Sequence, residues 1–450
     1  MGLEIKIVLS EVKFLREYVG RIKELTATIE RELVTARRDF HKYAEPGWTE
    51  FRTTAILSKK LMSLGYQVDI GEKVINKGAM LGVPKPDILK KHMERALAQG
   101  ADAELVAQMS GGLTGLVATL RHGEGPTLAL RFDIDANDIN ESQEETHRPY
   151  REGFASVNSG AMHACGHDGH AAAGLGVAII LMQLKDHLSG TVKLIFQPGE
   201  EGSRGAAAME AAGILEGVDY IFGGHIGVKA RHLGDLICGA REFLATTKLD
   251  VTFTGIPAHA GMSPEEGRNA LLAAATCALN LHAISRHGQG ASRVNVGSLH
   301  AGQGRNIIPP NAVLQLETRG VTTNINNFMA QEARRIIEAA ALMYAVDYKT
   351  ECTGTTQGGE SSSEMAELAA TIAQEMGCFG NIQGDVSFGA TEDFSHLLTS
   401  VQKKGGKGTY VQLGADASAG HHHYCFDFNE KVIAQFCEFM ARVACRLLSA

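Results

Sequence analysis

The chain has 450 residues, 44% hydrophobic and 21% charged, with a formal net charge of −8. That length supports a large core and reads as two domains. The acidic balance speaks against general nucleic-acid binding, which needs a basic face. The eight cysteines (Cys165, Cys238, Cys277, Cys352, Cys378, Cys425, Cys437 and Cys445) form no dense framework and read as free thiols of a reducing cytoplasm.

The first 20 residues, MGLEIKIVLSEVKFLREYVG, carry Glu4, Lys6, Glu11, Lys13 and Arg16. That is too much charge for a signal sequence or a membrane span, and no later run of about 20 apolar residues occurs. An amphipathic helix is expected over 22–45, stopped by Pro46 and Gly47. Residues 84–109 read as two short helices broken at Gly100, and SGGLTG follows them. This segment reads as an insertion or a mobile flap ahead of the first clear buried strand, TLALRFDID at 127–135.

An α/β alternation follows: helix GHAAAGLGVAIILMQLK, strand TVKLIFQP, helix RGAAAMEAAGIL, strand YIFGGHI. Such apolar strands between helices imply a mostly parallel sheet covered on both faces. After about residue 245 the order becomes β-α-β-β-α-β, a ferredoxin-like pattern. The chain then returns to α/β character, with a helix over 361–376, strand GTYVQLGA and a last helix from about 429. The expected architecture is an α/β catalytic domain over 1–245 and 357–450, with a helical insertion near 84–112. An α+β lid domain, 246–356, is inserted into it.

Open α/β sheets place their sites at the carboxyl ends of strands. Several chemically capable segments fall there: FDID with Asp133 and Asp135, MHACGHD, QPGEE with Glu200 and Glu201, and GGHIG with His225. Near the C-terminus, GHHHYCFDF adds His421, His422 and His423. Singly, each has an ordinary explanation: an inert core cysteine, a hydrogen-bonded histidine, helix-start glutamates, or Asp168 as a helix N-cap. Together they point to one shared metal site. Imidazole, thiolate and carboxylate suit zinc and similar divalent ions. In the glutamate pair, one carboxylate can bind metal while its neighbour acts as general base.

From RRDFHKYAEPGWTE to HHHYCFDFNE the chain resembles, in order, the motifs of the metal-dependent amidohydrolases that include aminoacylase-like enzymes, hippurate hydrolases and auxin-conjugate hydrolases. MHACGHDGH with QPGEEGSRGA carries most of the likeness, and the 84–109 segment with SGGLTG resembles the branch that acts on p-aminobenzoyl-glutamate. The resemblance implies two divalent ions, Mn²⁺ or Zn²⁺, held by Cys165, His167, Glu201, His225 and His422. His422 stands four residues before Phe426, with His421 or His423 as the alternative. It implies Glu200 as catalytic base and Asp135 as the acid behind the site that orients a ligand. His163 and His170 are not ligands in this pattern.

His259, in GIPAHAGMSPEEG, matches a catalytic position that reaches into a partner subunit's site. Asn306, in GQGRNIIPP, matches a substrate contact; Arg305 beside it is a candidate for a substrate carboxylate, with an ordinary solvated arginine as the alternative. The implied partners are a small N-acyl amino acid and a second subunit, either an identical copy or a related chain, joined through the lid. Neither nucleic acid nor membrane is expected. Hydrolysis of other acyl amino acids or dipeptides, or a non-catalytic place in a hetero-oligomer, are the alternatives. The chain departs from the family at DIDAN, QPGEE and HHY, where Leu after DxDA, QPAEE and HNP are usual. None of these removes a ligand or the base.

Overall fold

A strand buried on both faces has no use for polar alternation, and the central strands of this chain have none. The computed structural model describes residues 2–449; Met1 and Ala450, the ends of the expected catalytic domain, lie outside the described residues. Six strands come first: β1 (Gln67–Ile70), β2 (Leu116–His122), β3 (Thr127–Asp133), β4 (Gly190–Gln197), β5 (Tyr220–Ile226) and β6 (Asp235–Arg241). Then come β7 (Ala245–Thr254), β8 (Ser292–Ala301), β9 (Asn311–Gly320) and β10 (Asp347–Thr356). β11 (Asn381–Ser387) and β12 (Lys407–Leu413) close the series.

The large sheet has the order β1-β2-β4-β3-β5-β12-β6-β11. Its β4/β3, β3/β5, β5/β12 and β6/β11 pairings are parallel, and β1/β2, β2/β4 and β12/β6 are antiparallel. One face packs against the helices Gly2–Lys42, His167–Gln183 and Lys431–Leu448 through Leu33, Val177, Phe132, Phe196 and Phe436. The other face carries Trp48, Met209, Phe243, Phe394 and Tyr410. The small residues of the His167–Gln183 helix are required by close packing. A Cβ on Gly174 would stand 2.8 Å from Phe132 and Phe196, and one on Gly176 would stand 2.6 Å from Cys437 Sγ.

The second sheet, β10-β7-β9-β8, is antiparallel throughout. Here burial does alternate: Leu249, Val251 and Phe253 of β7 and Ala312, Leu314 and Leu316 of β9 face a separate core. The helices Ala270–His282 and Thr323–Met343 cover that face. The other face, with Lys248, Asp250, Gln315, Glu317 and Arg319, is open. This is the expected α/β body with an α+β unit inserted between β6 and β11.

Two expectations need correction. The first buried strand is not the 127–135 segment, because β2, buried over most of its length, precedes it. The 84–109 segment does form two helices, Pro86–Ala98 and Ala103–Gln108, with Gly100 between them at φ 87°. It is not a loose flap: Leu89, Ala96, Leu105, Val106 and Met109 are buried in the main core. Among the described residues, no helix is long and apolar enough to cross a membrane.

Candidate metal centre and active-site cavity

The carboxyl ends of β3, β4 and β5 lie side by side, so the loops leaving them meet. Asp133 ends β3, and Asp135 follows in the next turn. The Asp135 carboxylate accepts the backbone N–H of Glu200 at 3.1 Å and of Glu201 at 2.9 Å. It thereby fixes the loop after β4. Gly199, which starts that loop, has φ 59°, a left-handed conformation that suits glycine. Its N–H donates to Glu50 Oε1 at 2.8 Å.

Gly166, at φ 93°, caps the helix that begins at His167. Asp168 is therefore not the N-cap; it lies inside the first turn. His167 Nδ1 approaches the Asp135 carbonyl at 2.9 Å, and its Nε2 lies 3.9 Å from Asp133 Oδ2. His167 Nε2 is buried and has no hydrogen-bond partner. Glu201 Oε1 is likewise buried without a bond of ordinary geometry, although His422 Nε2 lies 3.1 Å away. Buried polar atoms are almost always paired, so two orphans a few ångströms apart mark a place built for something else.

Ligand-type atoms of Cys165, His167 and His225 lie within 4.8 Å of one another, and so do those of Cys165, Glu201 and His422. The two triplets share Cys165. Cys165 Sγ is 3.4 Å from His225 Nε2, and His225 Nδ1 approaches the Ile226 carbonyl at 2.8 Å. Sulfur, imidazole and carboxylate in this arrangement fit a borderline divalent cation. All five expected ligands are thus brought together.

The three C-terminal histidines separate cleanly. His422 sits at φ 65°, which costs a non-glycine residue about 1–2 kcal/mol. Its N–H donates to the Ala164 carbonyl at 2.8 Å, and its ring meets Glu201. His421 approaches the Ile226 carbonyl at 3.1 Å with its Nε2 and packs edge-on against His225. His423 is exposed and stacks on Tyr424. His170 is fully used: Nδ1 bonds to Asp133, and Nε2 accepts the Ile226 N–H at 2.9 Å.

Cys165, Glu201, His225, His421 and His422 line a cavity of about 450 Å³ together with Glu200, Glu392, Lys248 and Arg319. Burial first, then the charges of Glu392 and Glu201, hold the Glu200 carboxyl well above the usual carboxylate range. Sequence reasoning missed Glu392, Asp393 and Arg131. Arg131, buried in β3, pairs with Asp133 at 2.5 Å, Glu392 at 3.0 Å and Asp393 at 3.2 Å. An arginine inside the apolar run TLALRFD was the available signal, because a buried guanidinium demands carboxylates.

His259, Arg305 and Asn306 do not line this cavity. They lie together on the lid: the Ala260 N–H donates to the Asn306 carbonyl at 3.0 Å, and His259 pairs with Ile307 in an isolated bridge.

Known proteins resemble this chain over most of its length. Peptidase family M20/M25/M40 matches residues 129–446. The chain is 47% identical to one of the chains of p-aminobenzoyl-glutamate hydrolase from Escherichia coli (strain K12), over 91% of this chain and 94% of that protein. It is 46% identical to indole-3-acetyl-aspartic acid hydrolase of Enterobacter agglomerans, over 92% and 95%. Among solved structures, the aminobenzoyl-glutamate utilization protein from Klebsiella pneumoniae superposes with a TM-score of 0.83 at 38% identity, covering 94% of this chain and 98% of that one. A family match over most of the chain and near-complete coverage of such relatives mean that this chain belongs to peptidase family M20/M25/M40.

Proposed function

We propose that the chain is a metal-dependent hydrolase of the amide bond in N-acyl amino acids, with p-aminobenzoyl-glutamate as its best substrate. The products are then p-aminobenzoate and glutamate. One observation carries the reading. Adjacent glutamates on one loop differ in surroundings: Glu201 Oε1 meets His422 Nε2 at 3.1 Å beside Cys165, while burial and the charges of Glu392 and Glu201 raise the proton affinity of Glu200.

Cys165, His167, Glu201, His225 and His422 would hold two divalent ions, Mn²⁺ or Zn²⁺. Such ions, when bound, polarise an amide carbonyl and acidify a water. The Glu200 carboxylate would take a proton from the attacking water as its oxygen bonds to the amide carbon, and pass that proton to the nitrogen as the C–N bond breaks. Asp135 keeps Glu200 and Glu201 in register through their backbone N–H groups. His259, with Asn306 and Arg305 beside it, is proposed to complete the cavity of a second subunit. The absence of these three from their own chain's cavity supports that role.

The catalytic body is taken as 1–245 with 357–450 and the lid as 246–356, a division supported by the separate lid core. The partner is a second copy or a related chain, and the latter is favoured because the Escherichia coli relative is itself named as one subunit of its enzyme. All eight cysteines are unbridged, which supports a reducing compartment such as the cytoplasm. The substrates in the names of both relatives carry an acidic amino acid, which supports an acidic leaving group.

The test is the isolated chain, reconstituted with Mn²⁺ or Zn²⁺ and assayed on p-aminobenzoyl-glutamate beside indole-3-acetyl-aspartate, hippurate and simple dipeptides. Release of p-aminobenzoate is expected to be fastest. Glu200→Gln is expected to retain fold and metal and lose about 10²- to 10⁴-fold in turnover. Wild-type turnover in that variant removes Glu200 from the mechanism, and a preference for hippurate removes the acidic substrate.

A further inference from the structure

The open face of the lid sheet presents a cation, Lys248, that the site's mechanism does not use. On β7 and β9, Lys248 stands opposite Glu317, and Thr246 opposite Arg319. Glu317 is already engaged: Arg319 Nε donates to its Oε1 at 2.8 Å. Lys248 is half-buried, and its side chain makes no hydrogen bond or close ion pair among the described residues, with Glu200, Glu317 and Glu201 acting on it only at longer range. It lines the cavity that holds Glu200, Glu201 and Cys165. It also lines an adjoining groove of about 320 Å³ bounded by Asp250, Asn295, Gln315 and Glu317.

The position is built. A Cβ on Gly354 would stand 3.2 Å from Lys248 Cδ and 2.0 Å from the Gly202 carbonyl oxygen. Only glycine at 354 lets β10 lie against the loop that carries the glutamate pair. The neighbouring Thr355 N–H donates to the Ser203 carbonyl at 2.8 Å and locks that contact. The lysine stem is thereby held where lid, loop and cavity meet.

We propose that Lys248 Nζ binds the side-chain carboxylate of an acidic leaving amino acid, at a subsite between the catalytic cavity and the groove along the lid sheet. This rests on the hydrolase reading above and adds to it the residue that selects glutamate or aspartate over neutral amino acids. Within the cavity, Glu201 is committed to metal and Glu200 to proton transfer, so neither serves Lys248 as a lasting counter-charge. Burial lowers the Lys248 pKa, with Glu200, Glu317 and Glu201 opposing it, so a ligand carboxylate relieves a cation that the fold leaves short of one. A lysine offers a point charge, which suits a single carboxylate on a flexible side chain.

The experiment compares N-(4-aminobenzoyl)-glutamate with N-(4-aminobenzoyl)-glutamine, which is isosteric and neutral at the side chain. The readout is the ratio of kcat/KM for the two, measured in the metal-reconstituted full chain and in Lys248→Met. A charge-assisted hydrogen bond predicts that the ratio falls about 10- to 100-fold in the variant, with Lys248→Arg retaining most of the preference. An unchanged ratio overturns the proposal, whether both substrates slow together, as they would if Lys248 held the α-carboxylate, or neither does. If the variant turns over too slowly, the ratio of dissociation constants carries the same test. Wild type inert on both substrates would refute the hydrolase reading instead, and the two failures are distinct.

Discussion

His167 and Asp168 are neighbours in sequence and open the same helix, yet they belong to opposite kinds of buried polar cluster. On the metal-ligand side, His167 Nε2 and Glu201 Oε1 are buried without a hydrogen bond of ordinary geometry, with Asp133 Oδ2 3.9 Å from the first and His422 Nε2 3.1 Å from the second. On the far side, Asp168 is saturated: it accepts Arg37 Nε at 2.7 Å and its own neighbour's N–H at 2.9 Å, and His41 Nδ1 lies at 2.8 Å. Arg37 reaches on to Asp427 at 2.9 Å and Glu430 at 3.3 Å, and Arg148 clamps the same two carboxylates. The cluster ties the first helix to the segment that follows the three C-terminal histidines. Satisfied ions brace the loop; unsatisfied atoms await a ligand. A His- and Asp-rich motif can hold both, and only the partners tell them apart.

The largest effect expected of that contrast lies in the brace. Arg37→Met leaves Asp168, Asp427 and Glu430 short of a buried partner. Removing one member of a buried ion pair costs about 3–5 kcal/mol. Denaturation of the metal-free variant should show that loss as an earlier midpoint. A loss below about 1 kcal/mol would make the cluster ornamental and collapse the distinction drawn above.

A smaller effect sits on the same cluster and depends on pH. Burial and the Arg37 charge press the His41 pKa down, but the hydrogen bonds to Asp168 and Glu141 outweigh them and hold it at about 9. The unfolded value is near 6.5. A folded pKa above the unfolded one gives stability that is complete below pH 6.5 and lost as pH rises through 9. The expected decline is about 2–3 kcal/mol across that window. It should be read on chelated protein, since metal binding changes with pH in its own right. His41→Gln should flatten the decline, and an equal decline in that variant assigns it elsewhere.

Much of this was legible in the sequence, for physical reasons. The central strands are continuous apolar runs because both faces are covered, and the lid strands alternate because one face is open. Candidate segments could be named at strand ends, the family resemblance picked five ligands from them, and the structure gathers those five into two groups that share Cys165. Other elements were illegible. β11, NIQGDVS, is an edge strand with few apolar residues, and β1 has only four residues. The helix Phe394–Lys403 did carry a signal, because Phe394, Leu397, Leu398 and Val401 follow the i, i+3, i+4, i+7 pattern and are buried. Glu392 and Asp393 read as ordinary charges before that helix, and only the position of Arg131 reveals them as its counter-ions. Asp168 misled in the same way, since a carboxylate at a helix start usually caps, and its long-range partner Arg37 lies 131 residues away. The pairing that makes a charge structural is a tertiary fact.

The smallest effect is a near-zero, and it sharpens the contrast most finely, because HHH is one residue type three times over. His422 faces Glu201 from a left-handed backbone conformation held by the Ala164 carbonyl. His421 supports His225. His423 turns outward, where its Nδ1 accepts the Cys425 N–H at 3.1 Å and its ring lies on Tyr424. Losing one exposed hydrogen bond costs about 0.5–1.5 kcal/mol at most. His423→Ala should therefore keep wild-type metal content and turnover. His422→Ala should lose bound metal, read by elemental analysis after gel filtration, while remaining folded. If His423→Ala lost the metal and His422→Ala kept it, the orphaned Glu201 oxygen would no longer mark the ion's position. The reading of unpaired buried atoms as ligand sites would then fail at the point where it is most specific.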